Sequence, residues 1–368
     1  MGFSPFKMPI YSSKCGLIIM FLMSLCCIHP IGFSQGELRV GFYSRTCPQA
    51  ESIVSSVVRE ATLSNPRTPA LLLRMQFHDC MVEGCDGSIL IDNGNAGERM
   101  ATGNQGLGGF DVIDKAKAML ERVCKGVVSC SDIVALAARD AVFLRNGPFY
   151  QVPTGRRDGR VSDISHAANI PEVGDSIQLL KSKFRQKGLS DRDLVLLSGI
   201  LCSPLPQNEF FVTIFVFCFF CFFPSFSAAH TIGTTACFFI ETRLYNFTQG
   251  GGSDPAINPD FLPKLKAKCP FRGDINVRLP LDPVTEETFD VQILRNIRDG
   301  LAVIESDARL YDDRATKRVV DSYIGQRGSS AFGQDFAEAM VKMGNIGVKT
   351  GSQGEIRRIC TAVNGVPL

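Results

Sequence analysis

Two histidines and one arginine carry most of the chemistry available to this 368-residue sequence. In Arg74-Met75-Gln76-Phe77-His78-Asp79-Cys80 the arginine and histidine stand four apart, so on a helix they share one face. A fixed cation beside a titratable imidazole suits proton transfer to and from a bound substrate. Far downstream, Ala229-His230-Thr231-Ile232-Gly233 sets a second histidine at the expected start of a helical, apolar segment. There a ring nitrogen can bind a metal or a haem iron. Of the other histidines, His29 lies in the N-terminal leader and His166 follows the polar stretch Ser162 to Ser165, which reads as surface. His78 and His230 together suggest a haem held between two histidines with different jobs.

The residues after His78 form a second chemical group. Asp79, Val82, Gly84, Asp86 and Ser88 offer three side-chain oxygens and two carbonyls in a tight loop, the hard-oxygen set that Ca²⁺ accepts. A solvated acidic turn is the simpler alternative. Cys80 and Cys85 flank the loop and can lock it.

The elements that position these groups read as helices. Apolar residues recur at helical spacing, as in Ile53, Val54, Val57, Val58 and Ala61, and again in Ile133, Val134, Ala137, Ala138 and Ala141. Strand-like alternation is scarce. Ser129 with Asp132 and Ser190 with Asp193 mark helix starts, and Gly188 follows a basic turn as a helix stop should. Joints at Asn146-Gly147-Pro148, Ile170-Pro171-Glu172 and Gly250 to Pro255 divide the chain without any repeat. The expected fold is mostly α and two-lobed.

A net charge of +2 gives no reason to expect nucleic acid or an acidic partner. Lys7 and Lys14, the apolar run Cys15 to Ile28 and small residues near Gly32, Ser34 and Gly36 read as a signal peptide over residues 1–34. The competing reading is an uncleaved membrane anchor. Cys15, Cys26 and Cys27 lie in the leader, and Cys202, Cys218 and Cys221 lie in an unusual apolar segment. Eight cysteines remain: Cys47, Cys80, Cys85, Cys124, Cys130, Cys237, Cys269 and Cys360. In a secreted chain they imply four disulfides, for which sequence alone allows roughly 105 pairings. A zinc cluster is disfavoured because these eight contain no CxxC pair, the one such spacing, Cys218 to Cys221, lying in the apolar segment. Asn246-Phe247-Thr248 is a glycosylation sequon suited to a surface loop. No long tail follows Asn364, so the expected destination is extracellular, the apoplast or cell wall, as a monomer with no membrane attachment after signal cleavage.

In wording and order, the motifs around His78 and His230 resemble those of the secreted plant (class III) haem peroxidases, over about residues 35–364. The resemblance implies a two-lobed helical fold with haem b between a distal lobe (about 35–178 plus the C-terminal helices) and a proximal lobe (about 179–321). It implies reduction of hydrogen peroxide to water with one-electron oxidation of two small phenolic donors. His78 is then the distal base, Arg74 its electrostatic partner, Phe77 their neighbour in the pocket and Asn104 the residue that orients His78. As a sequence feature alone, Asn104 reads equally well as a turn residue beside Gly103 and Gly106. His230 is then the axial ligand and Asp307 the carboxylate behind it. Pro171 lines the haem edge that donors approach, although Ile-Pro is also a common turn. The family pattern further implies a distal calcium at Asp79, Val82, Gly84, Asp86 and Ser88, with Glu98 reached through water. It implies a proximal calcium at Thr231, Asp282, Thr285, Thr288 and Asp290. It pairs Cys47 with Cys124, Cys80 with Cys85, Cys130 with Cys360, and Cys237 with Cys269. Gln76 stands where a His is frequent, and Tyr150 where a Trp is frequent; neither change removes a catalytic group.

One segment breaks the resemblance. Residues 200–228 contain nine phenylalanines and three cysteines between Leu196-Leu197-Ser198-Gly199 and Ala229-His230. Deleting them restores the family motif, and Phe, Pro and Ser all have pyrimidine-rich codons, so the segment reads as a translated intron. A membrane helix at Phe210 to Phe223 is the rival, but it falls short of the roughly 20 residues a bilayer requires. If the segment is real and displaces His230, the chain reads instead as a non-catalytic extracellular haem or calcium protein.

Overall fold

The computed structural model describes Gly2, residues 37–198 and residues 230–365, and these contain twelve α-helices and a single two-stranded sheet. The signal-peptide reading of 1–34 and the inserted segment 200–228 fall outside the described residues. No described helix is long and apolar enough to cross a membrane.

Helix α1 (Ala50–Ser64) turns Val54, Val57 and Val58 inward and leaves its other face in water, as its apolar spacing requires. Helix α2 (Thr68–Met81) differs: every one of its residues is buried. A helix buried on all sides belongs at the centre of a domain, and the proline in its first turn gives up an N–H that has no intrahelical partner there. Helix α3 (Phe110–Val123) and helix α4 (Cys130–Leu144) complete this layer, with α4 packed along α2 and α3 packed on α1 and α4. Ser129 caps α4 by accepting the Asp132 N–H at 3.1 Å. After α5 (Ile177–Gln186), Gly188 adopts φ 77°, and Ser190 with Asp193 forms a reciprocal capping box that opens α6 (Asp191–Leu197).

The second half begins differently from its sequence expectation. His230 does not open a helix; it sits in a turn that leads into strand β1 (Thr234–Ala236). Gly233 at φ 108° turns the chain, and Thr234 and Thr235, branched at Cβ, favour the extended backbone that follows. Strand β1 pairs antiparallel with β2 (Arg278–Pro280), Thr234 opposite Pro280. Helices α7 (Glu241–Tyr245), α8 (Leu262–Lys268), α9 (Gln292–Arg298), α10 (Glu305–Arg309), α11 (Arg314–Ile324) and α12 (Gln326–Met343) make up the rest.

The apolar interior divides in two. A larger core joins α1 to α4 with α5, α6, α9, α11 and α12, and a smaller one gathers Val173, Cys237, Ile240, Leu265, Leu279 and Ile304. The disulfides pair Cys47–Cys124, Cys80–Cys85, Cys130–Cys360 and Cys237–Cys269, as the resemblance implies. Inside the larger core Asp132 accepts hydrogen bonds from Tyr43 Oη, Gly155 N and Arg156 Nη1, each at 2.7 Å. Arg156 Nε also donates to the Gly344 carbonyl at 3.0 Å, which ties α4 to the end of α12. Such a pair is tolerable in the interior because the guanidinium also donates to the Pro153 and Gly344 carbonyls.

Asp140 is less well served. Its Oδ1 accepts from Arg139 Nε at 2.7 Å, but its buried Oδ2 has no hydrogen-bond partner. Burial pushes its carboxyl up to about 6, against the opposing pull of Arg139. Since the folded value lies above the unfolded one, the group favours folding below about pH 4 and loses that contribution as pH rises through about 6. Asp140→Asn is therefore expected to melt higher than wild type at pH 8 and to lose that advantage at pH 4.5 in scanning calorimetry. A melting offset independent of pH contradicts this account.

Candidate active site

On α2, Arg74 and His78 are both fully buried and meet as their spacing predicts: Arg74 Nε donates to His78 Nε2 at 3.0 Å. Arg74 Nη2 also donates to the carbonyls of Gly103 (3.1 Å) and Gln105 (3.2 Å). On its other side His78 Nδ1 lies 2.5 Å from Asn104 Oδ1, and Asn104 Nδ2 donates to the Glu98 carbonyl at 2.7 Å. The last bond fixes which way the amide points. With its NH₂ on a carbonyl, Asn104 presents oxygen to His78, so Nδ1 must carry the proton and Nε2 the lone pair. In the neutral ring Nε2 then holds the lone pair, the tautomer a base requires. The Phe77 ring stands edge-on to His78, with centroids 5.9 Å apart, and also meets Phe184 of α5.

The segment carrying Pro171 reaches the same place. A Cβ on Gly103 would lie 2.5 Å from Ile170 Cγ2, so only glycine lets that loop close onto Asn104. Pro171 itself is buried, while Ala168 and Asn169 just before it are exposed. His166 is exposed, as its polar setting suggested.

Asp79 turns away from His78 into a loop of buried oxygens. Its Oδ2 accepts the Gly87 N–H at 2.9 Å, Asp86 Oδ1 accepts the Ser88 N–H at 3.0 Å, and Ser88 Oγ donates to Glu98 Oε2 at 3.2 Å. Burial, then the Asp86 charge, holds the Asp79 carboxyl well above the usual range, and burial pushes Glu98 up to about 7. Glu98 Oε1 has no hydrogen-bond partner. Gly84, at φ 125°, sits where a Cβ would come within 2.6 Å of Gly347 Cα. Lys349 Nζ pairs with Asp86 Oδ2, and Lys187 Nζ donates to the Val82 carbonyl. Among the described residues no three His, Cys, Asp or Glu side chains converge as a metal group. The loop's donor set instead mixes carboxylates with hydroxyl and carbonyl oxygens, which suits a hard cation. The orphaned Glu98 oxygen and the mutually repelling carboxylates fit one as well.

His230 Nδ1 lies 2.6 Å from Asp307 Oδ2, both side chains almost fully buried. With Nδ1–H on the carboxylate, Nε2 is the atom left to coordinate. His230 lines a largely apolar hollow together with Val195, Leu196, Ser198, Phe289, Ile293 and Leu310. A single imidazole nitrogen in apolar surroundings is a donor set that fits haem rather than a bare ion. Asp307 is placed by α10, and the approach to α10 is fixed by a residue the sequence reading missed. Arg243 of α7 donates to the carbonyls of Ala302, Val303 (2.9 Å) and Ile304 (3.3 Å), and its Nε donates to Asp254 Oδ2 at 2.8 Å. Its only sequence signal was a charge set between Ile240 and Leu244, both of which are buried.

Next to His230, a second cluster of oxygens forms through the sheet register. Leu281 N donates to the Gly233 carbonyl at 3.0 Å and brings Asp282 towards Thr231. Thr231 Oγ1 lies 3.2 Å from the Thr288 carbonyl and 2.9 Å from that of Asp290. Thr285 Oγ1 lies 3.2 Å from both Asp282 Oδ2 and Asp290 Oδ1. Asp282 Oδ1 accepts from Val284 N, Thr285 N and Asn296 Nδ2, and Asn296 is another partner that the sequence did not signal. Burial raises the Asp290 carboxyl. All five residues expected at a proximal calcium are therefore close together.

Comparison with known proteins agrees with this geometry. Residues 54–326 match the family model described as peroxidase. The chain is 57% identical over 336 residues to Peroxidase 43 of Arabidopsis thaliana, covering 90% of this chain and 94% of that one. It is 53% identical over 350 residues to Peroxidase 13 of the same plant, covering 94% and 99%. Peroxidase N1 of Nicotiana tabacum is 45% identical over 360 residues, covering 97% and 100%. The buried Arg74–His78 pair, the His230–Asp307 pair and these matches together place the chain in the plant (class III) haem peroxidase family.

Proposed function

We propose that this peroxidase reduces hydrogen peroxide at a haem b bound to His230 Nε2, and that small phenols are the donors oxidised, two per cycle, by one-electron steps. Haem, when bound, supplies the electrons that cleave the O–O bond and recovers them from the donors. The protein's part is acid and base. His78 Nε2 takes a proton from peroxide and returns it to the outer oxygen as that oxygen leaves as water. Arg74, fixed to the Gly103 and Gln105 carbonyls, holds positive charge where negative charge develops. Asn104 keeps His78 in its basic tautomer by accepting from Nδ1. Asp307 does the corresponding work for His230, raising the basicity of the coordinating nitrogen. The observation that carries this reading is that each buried histidine has its Nδ1 committed to one acceptor, so that proton transfer and coordination fall to the Nε2 atoms, that of His78 already in contact with Arg74 Nε. Pro171, beside the exposed Ala168 and Asn169, borders the donors' approach.

Calcium is assigned to the two oxygen clusters, the distal one at Asp79, Val82, Gly84, Asp86 and Ser88 with Glu98 behind a water, the proximal one at Thr231, Asp282, Thr285, Thr288 and Asp290. The mature chain is read as a secreted monomer from about residue 35. Asn246, exposed just after α7, is read as its glycosylation site. Residues 200–228 are read as foreign to the native protein. In favour of this, Ser198 and His230 line the same hollow although the segment separates them in sequence.

Two measurements test these assignments. In stopped-flow reaction with peroxide, His78→Ala is expected to slow the bimolecular step by about 10⁴-fold and Asn104→Val by about 10- to 100-fold, with donor oxidation little changed in the latter. A loss under tenfold in His78→Ala contradicts the base assignment. Sequencing of cDNA across Gly199 and Ala229 is expected to find the two codons adjacent. A message that retains 200–228 shows the segment to be native.

A further inference from the structure

A lysine touches the outer oxygen of a carboxylate that the reading above gives to calcium. Asp86 presents Oδ1 to the Ser88 N–H and Oδ2 to the Lys349 ammonium. The Asp86 side chain is 3% exposed and that of Lys349 33%, so the contact is mostly sheltered from solvent. The lysine does not arrive on a free tail. Its carbonyl accepts the Arg157 N–H at 2.8 Å, and Asp158 bridges to Glu355 just beyond, so two rungs of backbone pairing carry the Lys349 stem past the loop. A second lysine reaches the same loop, Lys187 Nζ donating to the Val82 carbonyl. Asp79, Asp86 and Glu98, the carboxylates of this loop, are all buried.

Such an arrangement acts in two directions. With no metal present, buried carboxylates repel one another and need a positive charge to stay together. A dication arriving at Asp86 meets a carboxylate whose charge is already partly neutralised and an ammonium that repels it. We propose that Lys349 is an internal counter-cation of this loop, holding Asp86 in its binding orientation when calcium is absent and lowering the affinity with which calcium binds. The proposal rests on the calcium assignment of the loop. Its consequence is that the backbone following His78 stays ordered when calcium falls, so calcium occupancy can vary without loss of the Arg74–His78 geometry.

The test is calorimetric titration of Ca²⁺ into the chelator-stripped, haem-loaded full-length protein, for wild type, Lys349→Met, Lys349→Arg and Asp86→Asn. The binding step that Asp86→Asn removes identifies the loop. At that step Lys349→Met is expected to bind calcium about tenfold more tightly than wild type, and Lys349→Arg to match wild type. Stripped Lys349→Met is expected to melt below stripped wild type, and the two to converge when saturated with calcium. Lys349→Gln provides a second neutral variant if Lys349→Met does not fold. Equal or weaker binding by the neutral variants overturns the counter-cation role and leaves the calcium site standing. If wild type has no binding step that Asp86→Asn removes, the calcium assignment falls, and the role of Lys349 falls with it.

Discussion

The partner on one nitrogen of a buried imidazole decides what the other nitrogen can do, and this protein applies that rule twice. Asn104 Oδ1 accepts from His78 and Asp307 Oδ2 accepts from His230, in each case at Nδ1. The acceptors differ in a way that fits the two tasks. An amide oxygen fixes a tautomer without adding charge, and so leaves His78 free to gain and lose a proton. A carboxylate adds negative charge behind the ring, which suits a nitrogen that donates its lone pair to a metal. On the proposed function, haem peroxidase activity depends on two acceptors as much as on the two histidines.

The fold can be understood as the scaffold that holds those acceptors. Asn104 comes from a loop between helices and is pinned by its own bond to the Glu98 carbonyl and by the close approach of Ile170 to Gly103. Asp307 rides on α10, whose entry is fixed by the three carbonyls bound to Arg243. Each histidine is also followed at once by a residue of an oxygen cluster, Asp79 after His78 and Thr231 after His230. The same stretch of backbone thus positions a histidine and anchors an oxygen-rich loop, which couples the order of each loop to the aim of the ring beside it. The burial of every residue of α2 serves the same end, because a helix that cannot shift holds Arg74 and His78 in register.

Features encoded by neighbours in sequence were legible before the fold. The Arg74–His78 contact follows from a four-residue spacing, and the caps at Ser129 and Ser190 follow from bonds that span three residues. The roles proposed for Asn104, Asp307 and the proximal oxygen cluster came from the family pattern rather than from local rules, since a turn asparagine and an isolated acidic residue are common, whereas the distal oxygen set was visible within one short loop. Features whose partners lie far along the chain were not legible. Arg243 with Asp254, Asn296 with Asp282 and Lys349 with Asp86 acquire meaning only once the chain has closed on itself. The helix expected at His230 failed for the same reason. Local hydrophobicity suggested a helix, but Gly233 and pairing with Arg278–Pro280 impose a turn and a strand.

On the proposed function, His230 has two partners, the iron and Asp307. The most direct measurement is the iron–histidine stretching band in the resonance Raman spectrum of the reduced protein, compared with Asp307→Asn and His230→Ala. The account predicts a band in wild type that moves to lower frequency in Asp307→Asn, where the ring loses its anionic partner, and vanishes in His230→Ala. A band unmoved by Asp307→Asn contradicts the role of the carboxylate, and one that survives in His230→Ala contradicts the assignment of the axial ligand.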